Sequence, residues 1–115
     1  MNQPTKTATW ADFERVAIRA GTIRTVEIFD EARKPAYKLW IDFGPFGVKQ
    51  SSAQLTALYR PDDLVGRQVI CATGLGAKRV AGFKSEVLVT GFARADGSII
   101  LVAPERAVVD GSPLC

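Results

Sequence analysis

The run Tyr37-Lys38-Leu39-Trp40-Ile41-Asp42-Phe43 alternates apolar and polar residues and leads straight into Gly44-Pro45-Phe46-Gly47. Period-two alternation is the signature of a strand with one face in a core, and a glycine-proline turn sends the chain back antiparallel. The segment that follows, from Phe46 to Ser51, is strand-like again, so the two predict a β-hairpin. Tyr37, Leu39, Ile41 and Phe43 fall on the core face. Lys38, Trp40 and Asp42 fall on the outward one.

The rest of the chain extends this all-β reading. Residues Val16–Phe29 are rich in β-branched types and interrupted by Gly21, which predicts a long strand that bulges or bends there. Thr9-Trp10-Ala11-Asp12 reads as a capping box opening a short helix, with Trp10, Phe13 and Val16 at helical spacing. Ser51 and Ser52 can cap a helical turn through Ala53, Leu55 and Leu58, ended by Pro61. Strands resume at RQVICAT, followed by a glycine-bearing connection, EVLVTGF, the turn ADGS, and SIILV. Strand, strand, strand, short helix, strand, strand is the order of a five-stranded Greek-key barrel of the OB type. An SH3-like barrel is the competitor, but it places no helix between its third and fourth strands.

At 115 residues, 47% of them hydrophobic and 23% charged, the chain suits one globular domain over 1–115, with residues 1–8 read as a disordered leader. No stretch approaches the roughly 18 apolar residues of a membrane span, and no signal peptide opens the chain, so no membrane insertion and a cytoplasmic address are expected. Cys71, inside an apolar run, reads as core, and Cys115 as an incidental thiol. The net charge of +3 permits an anionic partner. Between Arg67 and Arg94 the cations Arg67, Lys78, Arg79, Lys84 and Arg94 face only Glu86.

Catalysis is not suggested. There is no histidine, which removes the usual base near neutral pH, the usual zinc ligand and every Ser-His or Cys-His pair. The nearest acid pairs, Asp30-Glu31 and Asp62-Asp63, sit in connections. TGLGAKR from Thr73 looks like a phosphate loop only superficially, because it lacks the strand-to-helix context of an α/β unit. The expectation is a binding protein that needs no cofactor and no metal.

IRAGTI from Ile18, KPAYKLWIDFG from Lys34, KQSSAQL from Lys49, GRQVICATGL from Gly66 and AGFKSEVLVTG from Ala81 together resemble the tRNA-binding domain superfamily. KQSSAQL with AGFKSEVLV is similar in particular to the CsaA-type chaperones of protein export. Synthetase-linked members tend to read His-Pro-x-Ala-Asp/Glu-Lys-Leu where this chain has Lys34-Pro35-Ala36-Tyr37-Lys38-Leu39. They also tend to carry Gly-Met after the later Ser, where Glu86-Val87-Leu88 stands here. The resemblance implies an OB fold, a homodimer formed through terminal extensions, and binding of unfolded or presecretory polypeptide, with tRNA as the alternative ligand and the export machinery as a further partner.

OB folds carry ligand across the second and third strands and the loops beside them. Here that means Trp40, Lys49, Gln50, Ser51, Ser52, Gln54, Lys78, Arg79, Phe83, Lys84, Ser85 and Glu86. The lysines and Arg79 supply charge, the glutamines and serines supply donors and acceptors, and Phe83 an apolar plate. Each has a plainer reading: Ser51 or Ser52 as a helix cap, Phe83 as core, Lys84 with Glu86 as a surface pair. Trp10, Phe13, Val108 and Val109 are the candidate dimer contacts, the alternative being that they pack within one chain.

Overall fold

A computed structural model describes residues 6–115; the expected leader lies, over residues 1–5, outside the described part. Its organising element is β1 (Ile18–Ile28), long enough to serve two partners. The first half pairs antiparallel with β4 (Gln68–Ala72), from Ile18 opposite Ala72 to Thr22 opposite Gln68. The second half pairs with β2 (Tyr37–Asp42), from Thr22 opposite Asp42 to Ile28 opposite Tyr37.

The strand changes partners through a register shift between Ile23 and Thr25, so the bulge expected at Gly21 falls at Arg24 instead. Gly21 serves close packing. A Cβ there would stand 2.7 Å from Ile41 Cγ2 and 2.7 Å from the Phe43 ring, well inside van der Waals contact. The kink lets β1 curl, and the absent side chain leaves room for the Ile41 and Phe43 side chains against it.

β2 and β3 (Val48–Ala53) form the expected hairpin, in register from Tyr37 opposite Ala53 to Asp42 opposite Val48. A 3-10 turn over Gly44–Phe46 closes it, with Gly44 at φ 62° and the Phe43 amide donating to the Gly47 carbonyl at 3.0 Å. Asp42 accepts from the Gly44 amide and from Arg24, in that order of effect, and both hold its carboxyl below the usual carboxylate range. Tyr37, Leu39, Ile41 and Phe43 are buried, while Lys38, Trp40 and Asp42 are half-buried, as the alternation predicts.

The main sheet has the order β3-β2-β1-β4-β7, where β7 is Leu88–Val89, and β3 approaches β7 to bring the sheet nearly round on itself. This is the five-stranded antiparallel OB-type barrel. Its core holds Ile23, Leu39, Ile41, Phe43, Leu55, Leu64, Val69, Cys71, Val87 and Leu101, each large apolar side chain contributing about 1.5–3 kcal/mol by leaving water.

Three local readings change. Ser51 and Ser52 continue β3 rather than capping a helix, because Ser51 is needed inside the barrel wall. The helix between β3 and β4 is α2 (Pro61–Leu64), so Pro61 opens it instead of ending one. A proline is well placed at the first helical position, where its missing N–H has no intrahelical acceptor to lose. The Arg60 amide donates to Asp63 Oδ2 at 2.8 Å, tying down the turn. Finally, the apolar run EVLVTGF splits into β7 and β8 (Gly91–Ala93), since Thr90 turns its amide and hydroxyl onto the Ile70 carbonyl. β8 then pairs with β9 (Ile99–Leu101) around the expected ADGS turn.

The N-terminal helix α1 (Trp10–Val16) has its capping box between Thr9 and Asp12, and it buries none of its residues. Its C-terminal end is held by the residues just after β4: the Thr73 and Gly74 amides donate to the Ala17 and Val16 carbonyls. The C-terminal tail runs back along β1, with Ala20 donating to Ser112 and Leu114 donating to Ile18. Among the described residues no helix is long and apolar enough to cross a membrane.

Cys71 is fully enclosed and burial pushes its thiol up to about 12, whereas Cys115 is exposed. Since the thiolate is the reactive form, a maleimide at neutral pH should modify one thiol of the folded chain, and the second only with denaturant. Intact mass before and after unfolding reads both states.

Candidate ligand-binding surface

KQSS and FKSE meet. β6 (Phe83–Ser85) pairs with β5 (Lys78–Val80) in a hairpin, and that hairpin lies beside β3. A two-residue turn of Ala81 at φ 47° and Gly82 at φ 82° joins the two strands. The positive φ angles give the tight reversal that matches strand twist.

Polar side chains stitch the hairpin to the barrel. Ser51, fully buried, donates its hydroxyl to the Val87 carbonyl at 2.8 Å and lies 3.3 Å from the Ser85 hydroxyl. The Ser52 amide donates to Ser85 Oγ at 3.1 Å. The Gln50 amide donates to Glu86 Oε1 at 3.0 Å, the Glu86 amide returns a bond to the Gln50 carbonyl at 2.8 Å, and Gln50 Nε2 donates to the Lys84 carbonyl at 2.9 Å. These groups stand where strand-to-strand ladder bonds would close a regular barrel. Ser51→Ala would leave the Val87 carbonyl with only the long 3.5 Å bond from the Ser85 hydroxyl and should cost about 1–2 kcal/mol, read as a lower denaturant midpoint at unchanged slope.

The aromatics belong to the same seam. Phe83 meets Phe29 edge-on at 5.5 Å and Trp40 at 5.9 Å between ring centroids, and Lys38 Nζ stands over both phenylalanines. Trp40 Nε1 donates to Gln50 Oε1 at 3.3 Å. Both rings are half-buried and pack on one another edge to face.

Beside the seam opens a groove of about 1140 Å³. Its walls come from the β1–β2 connection (Ala32, Arg33, Lys34, Ala36), the end of β3 (Ser52, Ala53, Gln54), the stretch from Leu75 to Ala81, and Ser85, Val87 and Leu88. The lining combines aliphatic side chains, among them Leu75, Val80, Val87 and Leu88, with the cations Arg33, Lys34, Lys78 and Arg79, and no acid is among the lining residues. None of these four cations forms an ion pair among the described residues; Arg79 reaches only the Gly82 carbonyl, at 3.1 Å.

Of the residues singled out from sequence, Ser52, Gln54, Lys78, Arg79 and Ser85 line this groove. Trp40, Gln50, Ser51, Phe83 and Glu86 instead build the seam behind it. Lys49 is half-buried on β3, Lys84 is exposed on β6, and Lys84 forms no ion pair with Glu86, whose carboxylate is taken by Gln50. Sequence reading missed Arg33 and Lys34, which looked like part of a charged connection, and the whole β5–β6 hairpin. The signal for that hairpin was the Ala81-Gly82 pair between two short alternating runs.

The candidate dimer residues lie elsewhere. Trp10 is 86% and Val109 79% exposed, with Phe13 and Val108 partly so, and none lines the groove. They do not pack into the core of their own chain.

Over residues 18–113 the chain matches the tRNA binding domain family. Two solved structures are similar to it throughout: chaperone CsaA from Bacillus anthracis, at 44% identity and a TM-score of 0.89, covering 96% of this chain and 100% of that one; and CsaA chaperone protein from Picrophilus torridus, at 41% and 0.86, covering 95% and 100%. A methionine-tRNA ligase from Methanococcoides burtonii is 32% identical over 104 residues, 90% of this chain but 15% of the ligase. The chain therefore spans a small part of the ligase relatives it matches and the whole of both CsaA structures. It belongs to the tRNA-binding domain family, and its likeness to the two CsaA chaperone structures runs over 95–96% of its length.

Proposed function

We propose that this chain works by binding alone, as a CsaA-like chaperone that holds unfolded or presecretory polypeptide in the groove beside the β3–β6 seam. The observation that carries the reading is the groove itself: an aliphatic floor with Leu75, Val80, Val87 and Leu88, rimmed by Ser52, Gln54 and four unpaired cations. A floor of this kind takes affinity from buried side chains, and an adaptable polar rim tolerates varied sequence. The CsaA relatives are named as chaperones, which supports the same reading.

Two copies joined through Trp10, Phe13, Val108 and Val109 would bury the apolar surface of a helix that has no core of its own, and would double the binding surface. The working unit in this reading is a cytoplasmic homodimer that delivers clients to export machinery. A monomer in sedimentation at micromolar concentration would remove that part of it.

The second reading is tRNA binding, favoured by the uniformly positive rim and by the family match. Phosphate contacts release counterions, so affinity for RNA falls steeply with salt, whereas burial of apolar side chains is far less sensitive. Titrating the chain with tRNA and with an extended apolar peptide at rising salt separates the two. Salt-tolerant peptide binding without tRNA binding is expected; tRNA binding alone would overturn the chaperone reading.

A further inference from the structure

The β5–β6 hairpin has two outer edges, and only one is used. Its Ala81-Gly82 turn closes on Val80 opposite Phe83, which makes that pair the one that exchanges hydrogen bonds. The next pair, Arg79 opposite Lys84, is then a non-bonded pair whose amides and carbonyls point outward. On the β6 side this is what occurs: the Lys84 carbonyl accepts from Gln50. On the β5 side no strand lies alongside, and Arg79 has no backbone partner among the described residues.

That open edge faces the groove. Side chains of successive strand residues point to opposite faces, yet Lys78, Arg79, Val80 and Ala81 all line it, so the groove meets β5 along its edge rather than on one face. We infer that the groove takes an acidic, extended peptide as a third strand on β5, paired through the Arg79 amide and carbonyl, with its carboxylates on the cationic rim. The inference rests on the polypeptide reading of the site and adds to it the mode of binding and the class of client.

Charge complementarity fixes the occupant: four cations and no acid line the groove. RNA would satisfy the charge but not the rest. It brings no backbone donor-acceptor ladder for an open strand edge, and none of the groove's lining residues is aromatic, so bases would find no ring there to stack on. An extended peptide with alternating apolar and acidic residues satisfies the edge, the aliphatic floor and the rim together.

The test uses the full chain and a peptide of about eight residues alternating Val and Glu, long enough for one strand. Binding should slow hydrogen exchange at the Arg79 amide while leaving Lys78 and Val80 unchanged, because only alternate amides face the added strand. N-methylation of one alternate set of peptide amides should weaken binding by about tenfold or more, and of the other set hardly at all. Arg79→Pro removes the edge donor without touching the bond pairs to β6, and should weaken binding about tenfold beyond Arg79→Ala, which removes the charge and the side-chain bond to Gly82 but keeps the edge donor. A peptide with Lys for Glu should bind about tenfold more weakly or worse. Equal binding by both N-methylated sets, or unchanged Arg79 exchange at saturation, would overturn strand addition while leaving the groove as a polypeptide site. Equal binding of the Lys peptide would overturn the acidic client. No binding of any peptide to the wild-type chain would overturn the polypeptide reading and this inference with it.

Discussion

Gly21→Val should damage the barrel severely, lowering stability by about 3 kcal/mol and the thermal midpoint by roughly 10 °C. A valine Cβ would stand 2.7 Å from both Ile41 and the Phe43 ring, and both of those residues are fully buried, so neither can retreat into solvent. Relief would have to come from separating β1 and β2, the contact on which the sheet is built. Gly21→Ala, with no branch, should show the same sign at smaller size. A thermal melt of the two variants checks the order; a valine variant as stable as the parent would mean that Ile41 and Phe43 do not pack as closely against Gly21 as described.

The second large effect concerns binding. Reversing two rim charges together, Lys78→Glu with Arg79→Glu, should cost about tenfold or more in affinity for any anionic ligand, because two attractions become two repulsions at one wall of the groove. Neither side chain is buried or ion-paired, so the thermal midpoint should stay close to that of the parent. The same pair of changes at Arg15 and Arg106, which are exposed and outside the groove, should leave affinity nearly unaltered. Isothermal titration with the acidic peptide reads the difference. Equal affinities for the two double variants would remove the rim from the site.

Much of the barrel was legible because its strands carry strong local signals. The alternation in Tyr37–Phe43 fixed which side chains enter the core, the Gly44–Gly47 turn fixed the hairpin, and the capping box at Thr9 fixed the start of α1. What failed were features decided by distant partners. Ser51 looks like a cap by its type, but its hydroxyl is spent on Val87, 36 residues away. Pro61 looks like a helix end, yet a proline opens a helix as readily as it stops one. The run Glu86–Phe92 looks like one strand until Ile70 captures Thr90 and breaks it.

The candidate site divides along the same line. KQSSAQL and AGFKSEVLV do come together, but most of their conspicuous residues hold the wall rather than face a ligand. Arg33 and Lys34 reach the groove only because the β1–β2 connection folds toward β5, a fact of tertiary structure that no local pattern encodes.

The central claim, that this groove is the binding surface, is met most directly by photo-crosslinking a bound peptide and mapping the attached residues by mass spectrometry. Attachment within 32–36, 52–54 and 75–88 is the expected result. Attachment confined to α1 and the C-terminal tail, around Trp10, Phe13 and Val109, would contradict it.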